Sequence, residues 1–99
     1  MPNYFLSHKA VDDLAHIWNY TFDEWSESQA DKYYSLLIGC CKQLADAKVK
    51  GKNYPEVNED IFGFRIGQHI IFYRKYQKAN IEIVRILHNM MDLKIRLLE

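Results

Sequence analysis

The chain has 99 residues, 48% of them apolar and 26% charged, with thirteen Lys and Arg against thirteen Asp and Glu. That length suits one domain with a single modest core, and the composition excludes a disordered chain. A formal net charge of zero excludes attachment to nucleic acid by bulk charge, so any such contact must come from a local patch.

The opening "MPNYFLSHKA" has no basic segment followed by an apolar one, so no secretory signal is expected. No apolar run approaches the roughly 18 residues of a membrane span. "NYFLS" alternates and is apolar, which predicts a first strand from Asn3 to Leu6, with Ser7 capping the helix that follows. Val11, Leu14, Ala15, Trp18, Phe22 and Trp25 recur at helical spacing, while Asp12, Asp13, His16, Asn19 and Asp23 fill the other face. The predicted amphipathic helix runs from about Ser7 to Trp25. Asp12 and His16 lie one turn apart, but no third ligand accompanies them, and a solvated face is expected rather than a metal site.

"SESQAD" opens a second helix, where Ser28 and Asp31 approximate a capping box. Ala30, Tyr33, Tyr34, Leu37, Cys41 and Leu44 form its stripe, which fades near Lys48, with Gly51 as the stop signal. At this spacing Trp18, Phe22, Trp25, Tyr33 and Tyr34 read as core. Cys40 and Cys41 are adjacent, and helical neighbours point about 100° apart, which argues against a disulfide or shared metal. No metal or other cofactor is expected, and a reducing cytoplasm is the expected location.

After "GKNYPEVNED" the period shortens to two. "IFGFRI", "HIIFYRKY" and "IEIVRIL" read as three strands, joined by a two-residue turn at Gly67-Gln68 and a second turn at "QKAN". The expected fold is α+β in the order β-α-α-β-β-β. A helical hairpin packs on one face of a small antiparallel sheet, in one domain over 1–99.

The turns fix the facing of each strand residue. Pairing Tyr76 with Ile81 puts Phe62, Phe64, Ile66, Ile71, Tyr73, Val84 and Ile86 toward the helices. The reverse face then carries Arg65, Ile70, Phe72, Arg74, Ile83, Arg85 and Leu87, with Arg85 beside Phe72. Such an apolar ridge with arginines is either an interaction surface or a solubilised back to the sheet. Cutting RNA without a metal needs a base, an acid and cations for the phosphate. Arg65, Arg74 and Arg85 supply the cations, whereas His69, Tyr73, Glu82 and His88 fall on the opposite face, which argues against catalysis.

"LSxxAxxDL" in Leu6, Ser7, Ala10, Asp13 and Leu14, then Ile17, Trp18, Tyr20 and Thr21, resembles the start of ParE toxins of bacterial type II toxin–antitoxin systems. Trp25, Gln29, Ala30 and Tyr33 continue the likeness, and "FRIGQHIIFYR" and "VRILHNMMD" resemble the family's C-terminal signatures, so that Tyr4 to Asp92 is covered. The chain departs from the pattern at Ser26, at the uncharged Ile61, Phe62 and Gly63, and at Met90. The resemblance implies the RelE/ParE fold without the nuclease residues of RelE, and a non-enzymatic poison of DNA gyrase that arrests growth and stabilises a plasmid or chromosome. It also implies a ParD-like antitoxin, whose DNA-binding part gives the toxin its only, indirect contact with the operon. Two alternatives are a RelE-like ribosome-dependent mRNA endonuclease using Arg65, Arg74, Arg85 and His88, and a decayed toxin that only binds its antitoxin.

The C-terminal "MMDLKIRLLE" reads as a short amphipathic helix, either capping the core or meeting a partner. The expected target- or antitoxin-binding surface is therefore Arg65, Phe72, Arg74, Ile83, Arg85, Leu87, Met90, Met91, Leu93 and Leu97.

Overall fold

Strand β1 (Tyr4–Leu6) hands the chain directly to α1 (His8–Glu24) through Ser7. The Ser7 hydroxyl accepts from the Ala10 N–H at 3.0 Å and donates to the Val84 carbonyl at 2.7 Å, so one side chain caps the helix and ties it to the sheet. Helix α2 (Glu27–Ala45) follows at once, and β2 (Lys52–Asn53), β3 (Phe62–Ile66), β4 (His69–Tyr76) and β5 (Asn80–His88) complete the chain. The structure is a computed structural model and describes residues 3–77, 79–90 and 97.

The sheet order is β1-β5-β4-β3-β2. It is mixed: β1 runs parallel to β5, and the other pairs are antiparallel. The order β-α-α-β-β-β holds, with the short β2 as an added edge. Gly67 leads the two-residue turn between β3 and β4 with φ 57°, a conformation that glycine adopts without strain.

Three local expectations are corrected. Ser26, not Ser28, caps α2 by accepting from the Gln29 N–H at 3.1 Å. The helix ends at Ala45 in a left-handed cap at Ala47 (φ 60°), with Lys48 N–H to Gln43 at 2.9 Å and Ala47 N–H to Leu44 at 3.2 Å. Gly51 plays no part in that stop; its N–H donates to the Tyr73 hydroxyl at 2.8 Å.

The third correction is to strand facing. Tyr76 pairs with Asn80 rather than Ile81, and a bulge between Phe72 and Tyr73 restores the expected register from Phe72↔Arg85 through His69↔His88. The extra residue lies on β5, so Ile83 and Val84 exchange sides. Ile83 joins Ile71, Tyr73, Ile81 and Ile86 beneath Ala10, Leu14, Leu37, Cys41 and Leu44 of the helices. Val84 packs on the reverse face beside Ile61, Ile70, Phe72 and Leu87.

That reverse face is covered rather than open. The segment after β2 folds back, its Tyr54 N–H donating to the Ile61 carbonyl at 2.9 Å, and the Tyr54 ring stands edge-on to Phe72 at 5.2 Å. Gly63 makes room, since a Cβ there would lie 2.7 Å from the Tyr54 ring. Phe72 and Leu87 are consequently buried, and Leu97 packs against the same cluster.

Candidate functional site

Beyond Leu6↔Ile83 the strand β1 has ended, and among the described residues no strand lies beside the outer edge of β5. Unpaired backbone groups there need partners. Asp13, on the second turn of α1, supplies one: its Oδ2 accepts from the Ile86 N–H at 3.0 Å. The same carboxylate grips the Arg85 guanidinium, Oδ2 to Nε at 2.8 Å and Oδ1 to Nη2 at 3.0 Å. The Arg85 and Asp13 side chains are only 13% and 10% exposed. A two-pronged pair so enclosed fixes its geometry, and removing one member leaves a buried charge.

The pair forms the floor of a cleft of about 380 Å³ between α1 and the adjoining ends of β4 and β5. Lys9, Asp12 and His16 line it from the helix, and His69, Leu87 and His88 from the sheet. His69 and His88 face each other across the ladder with ring centroids 5.3 Å apart. The Tyr33 hydroxyl lies 2.6 Å from His69 Nδ1 and accepts the Gln68 N–H at 3.1 Å. Donation of the Tyr33 proton to Nδ1 satisfies both groups and leaves the His69 proton on Nε2. Burial, aided by His88 and opposed by Asp13, lowers the His69 pKa to about 4, so the ring is neutral at pH 7. His88 Nδ1 accepts the Met90 N–H at 3.1 Å.

The sequence-derived surface does not assemble as one face. Arg65 is exposed opposite Ile70 on the reverse side. Arg74 pairs with Glu82 at 2.7 Å and, with Glu59 and Asp60, borders a separate depression. Arg85 instead reaches Asp13 and shares the cleft with His69 and His88. The expectation that all the arginines lie opposite the proton carriers is therefore corrected for Arg85, which shares the cleft with His69 and His88, and for Arg74, which pairs with Glu82; it is retained for Arg65. Phe72, Ile83 and Leu87 are buried and present no open surface. Met90 is 84% exposed, whereas Met91 and Leu93 lie outside the described residues.

Asp13 is the residue that sequence reasoning misplaced, having assigned it to the solvated face of α1; its partner is 72 positions away. The aromatic expectation also changes. Trp25 is 72% exposed and Phe22 45%, so the end of the hairpin is not core. Among the described residues no group of three or more His, Cys, Asp or Glu could hold a metal, and no helix is long and apolar enough to cross a membrane. Cys40 and Cys41 are buried and free, and burial with Cys40 alongside pushes the Cys41 thiol up to about 12.

Residues 4–93 match the model of the ParE toxin family of type II toxin–antitoxin systems. The chain belongs to the ParE toxin family. It is similar to Toxin ParE1 of Mycobacterium tuberculosis, 33% identical over 89 residues that cover 90% of this chain and 91% of the relative. Toxin ParE1 of Caulobacter vibrioides is 30% identical over 97 residues, covering 98% and 99% of the two chains. Toxin ParE of Escherichia coli is 31% identical over 97 residues, covering 98% and 94%. In structure the chain is similar to one from the chromosomal ParDE toxin–antitoxin system of P. aeruginosa, with TM-score 0.72, 18% identity and coverage of 89% and 96%. That likeness is one of fold.

The ParE-like motifs now have physical meanings in this chain. Leu6 ends β1, Ser7 caps α1, Ala10 and Leu14 enter the core, and Asp13 closes the sheet edge. In "VRILH", Val84 and Arg85 form the bulge and the clamp, Ile86 and Leu87 fill opposite cores, and His88 faces the cleft.

Proposed function

We propose that this chain arrests growth as a binding poison of DNA gyrase, without cutting RNA, and is neutralised by a ParD-like antitoxin whose flexible segment folds on contact. Family membership supports the toxin role. The observation that carries the non-enzymatic reading is the dispersal of the nuclease set: Arg65 and Arg74 lie away from the histidine cleft, and Asp13 grips Arg85 inside it. A phosphate poised for cleavage needs cations and proton carriers converging on the same atoms. In this reading the exposed Arg65, Arg74 and Met90, together with Met91 and Leu93, contribute to contact with target or antitoxin, and DNA is met only through the antitoxin.

The test is a gyrase supercoiling assay with the purified chain. Inhibition that rises with toxin and is abolished by a stoichiometric antitoxin is the expected result. Full supercoiling at a large excess of toxin removes gyrase as the target. Absence of growth arrest on induced expression without the antitoxin would instead indicate a toxin that has lost its activity.

A further inference from the structure

The aromatic end of the helical hairpin is not used by the fold or by the reading above. The last α1 residue in a core cluster is Ile17. Beyond it Trp18, Phe22 and Trp25 follow at i, i+4 and i+7, on one helical face. Trp18 stacks on Phe22 with ring centroids 5.3 Å apart, and its indole N–H donates to Asp31 of α2 at 3.0 Å, making a braced platform. Trp25, at the helix end, is 72% exposed.

Charge around this platform is predominantly acidic, with Lys32, directly after Asp31, the nearest cation in sequence. From residue 10 to residue 31 the chain contains no Lys or Arg, while Asp12, Asp13, Asp23, Glu24, Glu27 and Asp31 are acidic. Asp13 is matched by Arg85. Asp23 and Glu24 lie between Phe22 and Trp25, and Glu27 stands one turn before Asp31 on α2; all four carboxylates are exposed. Indole faces attract cations, and carboxylates beside them attract guanidinium groups. Phosphate-bearing surfaces, whether nucleic acid or anionic membrane, are repelled.

We infer that the outer half of the helical hairpin, with Trp18, Phe22 and Trp25 ringed by Asp23, Glu24, Glu27 and Asp31, docks a cationic amphipathic segment of a partner protein, one that alternates Arg or Lys with apolar side chains. The apolar rings supply desolvated area, and the carboxylates select the sign of the partner. The inference holds whichever macromolecule the toxin arrests.

Both tryptophans of the chain lie on the platform, so intrinsic fluorescence reads it directly. The probe is a twelve-residue peptide of alternating Arg and Leu, compared with its Glu and Leu counterpart. The Arg peptide is expected to shift the emission to shorter wavelength and to bind saturably, at least tenfold tighter than the Glu peptide. Trp25→Ala and the triple variant Asp23→Asn, Glu24→Gln, Glu27→Gln are each expected to weaken it about tenfold. The triple Glu56→Gln, Glu59→Gln, Asp60→Asn, equal in charge but sited elsewhere, should leave it within twofold. Equal binding of the two peptides, or equal weakening by the two triples, overturns the inference. So does oligomerisation of the chain in light scattering that Trp25→Ala abolishes, since the occupant would then be a second copy.

Discussion

The two halves of α1 are built for different ends. In the first half Ala10, Leu14 and Ile17 enter the core, and Asp13 locks the helix to the edge of β5 through Ile86 and Arg85. From Trp18 to Trp25 the stripe continues in sequence but joins no core cluster; Trp18 is half-buried, and the Phe22 and Trp25 rings face solvent among carboxylates. The same periodicity thus serves folding in one half and recognition in the other. A hydrophobic stripe states that a face seeks a partner, without stating whether that partner lies in the same chain.

Substitutions in the inner half should be costly, and those in the outer half nearly silent for stability. Asp13→Ala takes the carboxylate away from the buried Arg85 guanidinium and frees the Ile86 N–H, a loss of about 3–5 kcal/mol in urea unfolding. Asp13→Asn can retain the Ile86 hydrogen bond and should lose less; equal losses would place the effect at the ion pair rather than at the strand edge. Leu14→Ala empties a core position and is expected to cost about 2–5 kcal/mol by the same measurement.

A smaller effect comes from His69. Its pKa is about 4 in the folded chain against 6.5 for an ordinary imidazole, so below pH 6.5 the unfolded chain takes up the proton first. Stability is therefore flat above pH 6.5 and falls as pH drops toward 4. The partly exposed ring limits the loss to roughly 1 kcal/mol. His69→Gln should reduce that slope between pH 6.5 and 4 relative to the parent chain. At the end of α2, Ala47→Gly relieves a left-handed alanine and should stabilise by about 0.5–1 kcal/mol. Trp25→Ala, in the outer half, should change stability by no more than about 0.5 kcal/mol while weakening partner binding. A large loss there would erase the distinction between the halves.

Much of this fold was legible from local pattern. The Ser7 cap, both helices, the Gly67 turn and the pairing of His69 to Phe72 with Arg85 to His88 follow from residues a few positions apart. The bulge was not, because an extra residue on β5 is decided by pairing between strands, and the alternation alone reads smoothly through Ile83 and Val84. The cover on the reverse face was also hidden. Residues 54–61 have no period, yet they fold back to put Tyr54 over Phe72. The clamp was the least visible, since an acidic residue on a helix reads as solvated until its arginine arrives from 72 positions downstream.

A gripping toxin and a cutting one differ most sharply at His88, which lines the cleft beside the clamped Arg85. The decisive measurement is induced expression of His88→Gln without antitoxin, scored for growth arrest with the ends of cellular messenger RNA mapped in parallel. Arrest equal to that of the parent chain, with no new RNA ends from either, is the expected result. Loss of arrest together with loss of cleavage products seen with the parent would contradict the account.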